Sequence, residues 1–444
     1  MTIPSFLSRI KHHRLDDITA WRDRLLMWGA AGVAGLCIVG FTLLTDKAND
    51  IFQSVRGARS WAPFLITPLG GMLVVWLTRR FAPASAGSGI PQVMAALNAQ
   101  SATRQFVSTR LSVAKAAFGS LALLAGFSAG REGPAVQIAA GVMHGFRNGF
   151  SAQSKISPQD LMLVGGAAGI AAAFNAPLAG VIFAIEELSR RFEQRSSGLI
   201  VTAIVLAGVV SISMLGNFTY FGRIDVKSVS IDLLLPGTLC AIFAGGLGGF
   251  FSRLLIISSI GTADRFSHFR ARRPILFAGF CGLCIAALGF VSNGAAHGSG
   301  FKYTHGVLAG EQTLPFLFSG VKFLATWLTY WSGVPGGVFA PALAVGAGLG
   351  NDVAIITHTA FATPLIVIGM AGFLAAATQA PITSFIIVME MIDGHTMVLS
   401  LMATALAASL ISKLISPPLY HTLSELQLAN AIKPPALSSS VTDA

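Results

Sequence analysis

Charge is what this chain has least of. Asp, Glu, Lys and Arg make up 11% of its 444 residues, against about a quarter in a soluble domain. That scarcity, with many apolar runs near the ~17–25 residues that cross a bilayer, excludes a soluble enzyme built on one large core. Acids are the scarcer sign, 19 against 30 bases, and the net charge of +11 raises nucleic acid as a partner. The bases, however, are scattered between apolar runs and form no interleaved basic and aromatic stripe, so nucleic-acid binding is set aside. Cysteine is scarce as well. Cys37, Cys240, Cys281 and Cys284 all lie in apolar segments, and Cys281-Gly-Leu-Cys284 has no His or acid near it, so it reads as packing rather than as a metal or redox pair. No metal or cofactor is expected. A cleavable signal peptide is also missing from view, because the first apolar run starts late and continues too far for one.

What is there is hydrophobic: 53% of residues are apolar and the mean hydropathy is +0.70, the composition of a polytopic membrane protein. Spanning helices are expected over Leu25 to Leu44 and Ala62 to Leu77, the second ending at Arg79-Arg80. Arg9, Lys11, Arg14, Arg22 and Arg24 precede the first apolar run, which places residues 1–24 in the cytoplasm by the positive-inside rule. The clusters Arg190, Arg191, Arg195 and Arg265, Arg270, Arg272, Arg273 are assigned to cytoplasmic loops on the same ground. The segment 421–444 is read as a short polar cytoplasmic tail, leaving 25–420 as the transmembrane domain in a bacterial-type inner membrane.

Beyond Arg80 the runs are interrupted by Gly and Pro at Gly87 to Pro91, Gly130 to Pro134, Asn175 to Pro177, Gly298 to Gly300, Gly333 to Pro341 and Ala380-Pro381. Broken helices are tolerated in lipid only where the freed backbone is buried in protein or lines a cavity. A site built from helix ends is therefore expected inside the protein. Its centre is Gly130-Arg131-Glu132-Gly133-Pro134, set between Ala116 to Ala129 and Ala135 to Val142, neither of which carries a charge. An ionisable group at such a depth costs roughly 2.5–3.5 kcal/mol on insertion scales and ordinarily marks an ion or proton path. The break also leaves backbone N–H groups free at a helix start, and these attract anions.

An internal repeat is legible. Gly165 to Leu188 can be laid on Gly369 to Ile392 at a spacing of 369 − 165 = 204, pairing Ala176-Pro177-Leu178 with Ala380-Pro381-Ile382 and Glu186 with Glu390. Gly130 to Pro134 matches Gly337 to Pro341 at 337 − 130 = 207. The halves run roughly over 25–215 and 230–420. Matching helix breaks in two halves are the pattern of repeat-built transporters, whose substrate lies at the repeat interface. The sequence alone does not say whether the halves are inverted.

Gly87-Ser88-Gly89-Ile90-Pro91, Gly130-Arg131-Glu132-Gly133-Pro134, Gly336-Gly337-Val338-Phe339-Ala340-Pro341 and Pro418-Leu419-Tyr420, in that order, resemble the CLC family of chloride channels and chloride/proton antiporters. The resemblance covers about Leu25 to Tyr420. It implies the all-helical CLC fold of two inverted repeats with broken helices, in a homodimer with one anion path per subunit. It also implies roles for particular residues. Ser88 and Tyr420 would offer hydroxyls to a chloride, completed by the N–H groups of Val338 and Phe339; neutral donors at helix N-termini suit a halide because no fixed cation holds it too tightly. Glu132 would be the gate and external proton-transfer residue, and Glu187 the internal one, with Glu186 mattering much less. Lys115 would add favourable potential for anions. Gln92 stands where many relatives carry an acid, which would alter the charge of the inner vestibule, and the tail has no room for nucleotide-responsive domains. Ser88 and Tyr420 disfavour the fluoride branch, and nitrate-selective relatives carry Pro at the position of Ser88.

Each residue has a plainer rival. Ser88 alone reads as a helix cap, Tyr420 as an interfacial anchor, Glu187 as a cytoplasmic-face acid paired with a base, and Glu132 as a partner of Arg131. The leading function is exchange of chloride for protons, with chloride, protons and the lipid bilayer as partners; the alternative is a passive voltage- or pH-gated chloride channel on the same fold. A third reading, an intramembrane hydrolase with Ser88 as nucleophile and His297 as base, requires the two side chains within hydrogen-bond reach.

Overall fold

The computed structural model describes residues 18–432 apart from 100, 102, 155, 189–196, 217–218, 223, 225–230 and 360–361. Arg9, Lys11, Arg14 and the cluster Arg190, Arg191, Arg195 lie outside the described residues. Among the described residues the fold is helical, and the only bridge of β type is one isolated pair, Gly130 with Gly337. Eight of the described helices are long and apolar enough to cross a membrane.

The first helix is longer than the apolar run Leu25 to Leu44 indicates. It spans Ile18–Ala58, 41 residues, or about 61 Å at 1.5 Å per residue, about twice a ~30 Å hydrocarbon core. Its second half carries Thr42, Thr45, Asp46, Asn49, Gln53 and Arg56 toward a cavity, so it continues past the apolar run because protein and water, not lipid, meet that face. The second helix is Pro63–Phe81, with Pro in its first turn and Arg79 and Arg80 in its last. Leu65, Leu69, Leu73 and Trp76 are exposed while Thr67, Gly71, Val74, Val75 and Thr78 are buried. One face thus meets lipid and the other the protein. By contrast Phe339–Ile356 is almost wholly interior, with 89% of its most apolar window buried.

New helices start at Ile90, Glu132, Pro177, Phe301, Phe339 and Pro381, at or just beyond the Gly and Pro interruptions. Positive φ angles of 70° and 108° at Gly87 and Gly89, and of 64° and 87° at Gly298 and Gly300, explain why glycine stands there, since a Cβ opposes that backbone. Of the segment read as a tail, residues 421–432 belong to a helix, Leu419–Ile432, with Leu423 and Ser424 buried; residues 433–444 lie outside the described residues.

The two halves are joined by exchanged contacts at the positions the repeat pairs. Gly130 N donates to Gly337 O and Gly337 N to Gly130 O, both at 2.8 Å. Glu186 accepts from Ile382 N at 3.0 Å and Thr383 N at 2.6 Å, while Glu390 accepts from Leu178 N at 3.1 Å and Ala179 N at 2.6 Å. An acid near the end of each helix reaches the start of the other, so Pro177–Phe183 and Pro381–Ile392 run antiparallel. A twofold relation that reverses helix direction is an inversion, which answers the question the sequence leaves open.

Candidate functional site

Four breaks meet around the Ser88 loop. Lys115, fully buried on Thr109–Leu124, donates to Ser85 O at 2.8 Å and Gly87 O at 2.6 Å. Gln92 accepts from Gly89 N at 3.0 Å and donates to Ala86 O at 2.6 Å. Both side chains therefore hold the loop's shape. The Gln92 side chain is buried and committed to backbone at both ends. Lys115 acts as a brace as well as a buried charge.

Ser88 Oγ and Tyr420 Oη are both buried and face each other, and no other protein group bonds either. An unmet buried hydroxyl costs roughly 1–3 kcal/mol, and two of them side by side have room to share an acceptor. Val338 immediately precedes the helix Phe339–Ile356, whose first-turn N–H groups have no intrahelical acceptor. The Phe339 ring packs edge-on to Tyr420 with centroids 5.8 Å apart, tying that helix start to the tyrosine. Ser88, Tyr420 and the start of the Phe339–Ile356 helix thus lie close together.

Glycine makes this convergence possible. A Cβ at Gly133 would fall against Ser88 Oγ and 2.7 Å from Ser88 O, and one at Gly337 would fall 2.8 Å from Gly133 N. Gly133→Ala is accordingly expected to push the Ser88 loop aside, at the 1–3 kcal/mol typical of overpacking, and to cut chloride flux about tenfold or more. Chloride efflux from liposomes carrying the variant checks this; wild-type flux would show that the close approach is dispensable.

Glu132 is fully buried, and its Oε2 accepts from Ala340 N at 3.4 Å while Oε1 has no partner. Its carboxylate therefore rests on the first turn of the helix that Val338 and Phe339 begin. The rival pairing with Arg131 is not what forms, because the Arg131 guanidinium bonds Asp46 of the first helix and lies over the Tyr220 ring, 5.6 Å from its centroid. Arg131, Glu132, Asp46 and Tyr220 line a cavity of about 770 Å³, together with Lys302 and His297.

His297 and Ser88 are not brought together. The imidazole uses Nδ1 on Gly126 O at 2.7 Å, its Nε2 abuts Gly289, and no hydrogen bond joins it to the serine. A hydrolytic pair is absent. Glu187 is half-buried in a π turn, Ala184–Leu188, that continues the helix begun at Pro177.

Several residues escaped the sequence reading. Lys322 is buried and donates to His297 O at 3.2 Å and Gly298 O at 2.6 Å, bracing the Gly298 to Gly300 break as Lys115 braces Gly87 to Gly89. Its spacing from Lys115, 322 − 115 = 207, is that of the Gly130 and Gly337 motifs, so the repeat could have found it. Asp46 and Tyr220 gave no such signal. Glu186, expected to matter little, turns out to bridge the halves.

A family model described as voltage gated chloride channel matches residues 70–413. The chain is 32% identical over 381 residues to the H(+)/Cl(-) exchange transporter ClcA of Citrobacter koseri, covering 82% of this chain and 79% of that protein. It is 31% identical over 453 residues to the transporter of the same name from Salmonella arizonae, covering 95% and 93%. Among solved structures, a slow cyanobacterial Cl−/H+ antiporter superposes with a TM-score of 0.78 at 26% identity, covering 93% of this chain and 99% of that one. A CLC-type fluoride/proton antiporter shares the fold with a TM-score of 0.75 at 23% identity, covering 90% and 96%. With matched helix breaks, inverted halves and relatives along nearly its whole length, the chain belongs to the CLC family of chloride channels and chloride/proton antiporters.

Proposed function

We propose that the chain is a secondary antiporter exchanging chloride for protons across an inner membrane, working as a homodimer with both termini cytoplasmic and residues 25–420 as its transport domain. Chloride sits on the hydroxyls of Ser88 and Tyr420 and the N–H groups of Val338 and Phe339. Glu132 is the gate and outer proton carrier, and Glu187 the inner one. The observation that carries the reading is the pair of buried hydroxyls, bonded to no group beyond each other, beside a helix start on which the Glu132 carboxylate rests. A carboxylate on Ala340 N and a halide on the two preceding N–H groups then compete for one helix start. The names of the most similar relatives favour exchange over a passive channel. Reconstituted liposomes under a chloride gradient with no proton gradient provide the test: protons move against no driving force but chloride's, and a protonophore collapses the proton gradient so formed. Chloride flux without proton flux would establish the channel instead.

Ser88 should set selectivity more than throughput. One neutral hydroxyl contributes roughly 0.5–1.5 kcal/mol net, and the backbone donors remain without it. Ser88→Pro is expected to shift preference from chloride toward nitrate by up to about tenfold, while transport persists. Competitive flux in mixed anions measures the shift, and an unchanged preference series would make Ser88 a cap and no ligand.

A further inference from the structure

The two exchanged glutamates are alike in bonding and unlike in setting. Each half has a helix opening on proline, Pro177 or Pro381, which lacks an N–H, so the first free donors are the next two residues along the chain. Those donors are taken by the other half's acid. Glu186 accepts from Ile382 N and Thr383 N, one bond to each oxygen, and Glu390 from Leu178 N and Ala179 N in the same way. The carboxylates also lie at the positive ends of helix dipoles, where negative charge is favoured.

The helices that supply them differ. In the second half Pro381–Ile392 stays α-helical through Glu390, and the next residue is Met391, fully buried. In the first half the chain widens into the π turn Ala184–Leu188, with Glu186 at its centre and Glu187 next to it. Such turns are rare and are frequently found at functional positions. Here an outside anchor exists, because the Glu186 carboxylate is pinned at both oxygens to the opposite half.

We propose that Glu186 is a positioning residue for proton transfer: by bridging the Ile382 and Thr383 N–H groups it holds the π turn that presents Glu187, while Glu390 makes the same clamp with no acid to present. The inference rests on the reading of Glu187 as the inner proton carrier. It also reverses the expectation that Glu186 matters little. Glu186 touches neither ion; it fixes the backbone from which its neighbour acts, and small misplacements of a transferring group are costly.

The repeat supplies its own control. Glu186→Gln and Glu390→Gln each remove one acceptor oxygen from an equivalent clamp, and should lower thermal stability in detergent by similar amounts. In liposomes, Glu186→Gln should reduce protons moved per chloride by about tenfold, the scale on which small misplacements act, with chloride flux retained, and Glu390→Gln should keep the wild-type ratio. Should Glu186→Gln fail to assemble, Glu186→Asp, which keeps the charge but falls short of both donors, should show the same selective loss. Wild-type stoichiometry in the Glu186 variants, or an equal loss in Glu390→Gln, would overturn the proposal and leave both clamps purely structural. Glu187→Gln measured in parallel separates the two readings. A wild-type ratio there removes Glu187 from the proton path and this role of Glu186 with it. Loss there with none in Glu186→Gln defeats the positioning role alone.

Discussion

Glu132→Gln is expected to reduce proton movement to the leak of protein-free liposomes, and Glu132→Ala to do the same while chloride still crosses. The carboxylate is fully buried and takes one backbone donor, Ala340 N, at 3.4 Å, beyond the usual 2.7–3.2 Å of an N–H···O bond. A hydrogen bond to a charged group contributes about 1.5–3 kcal/mol at good geometry, and this long contact gives less. The carboxylate is thus held loosely enough to leave. When protonated it loses the attraction of the helix start, and its negative charge no longer opposes a chloride beside it. Gln cannot carry the proton, and Ala neither carries it nor blocks the path. Arg131 does not substitute, since its guanidinium is already committed to Asp46. Proton flux in the Gln variant within about twofold of wild type, a difference of some 0.4 kcal/mol, would remove Glu132 from the proton path.

The second large effect is expected at Glu187. It is half-buried in the π turn, next to the anchored Glu186. In the proposed exchange its carboxylate accepts a proton and passes it toward Glu132. Glu187→Gln should lower proton flux about tenfold or more at unchanged chloride flux, and should leave the fold intact because substitutions of half-buried polar groups outside a core ordinarily fall within about 0.5 kcal/mol. Met391 at the matching place in the second half shows that this helix geometry does not itself require an acid. Simultaneous chloride and proton recordings decide it, and wild-type proton flux in the variant would take from exchange its main support among the residues.

Much of the fold was legible because Gly and Pro punctuation acts locally: Pro177, Pro381, Gly89 and Gly300 break the chain wherever they occur. The repeat was legible for the same reason. Less legible was everything that depends on what lies across the fold. The apolar run Leu25 to Leu44 understated a helix reaching Ala58, since its polar second half is stabilised by the cavity it lines. Residues 421–432 read as tail because polar composition conceals a helix docked against protein. In the site, Ser88, Glu132, Val338, Phe339 and Tyr420 were visible as motifs and Lys322 was traceable through the repeat, whereas Asp46 and Tyr220 come from segments with no motif. The roles of those two arise only when the chain is folded. Glu186 is the instructive case, for an acid beside a better-known acid looked redundant until its oxygens were found on the backbone of the opposite half.

Competition between a carboxylate and a halide for the same helix start can be measured without transport. Chloride titrated calorimetrically into detergent-solubilised protein should bind more tightly as pH falls, because protonation of Glu132 removes its competing negative charge from the helix start, and binding should be accompanied by proton uptake. In Glu132→Gln the affinity should be high and independent of pH. Chloride affinity in the wild type that is flat with pH and accompanied by no proton uptake would contradict the shared site.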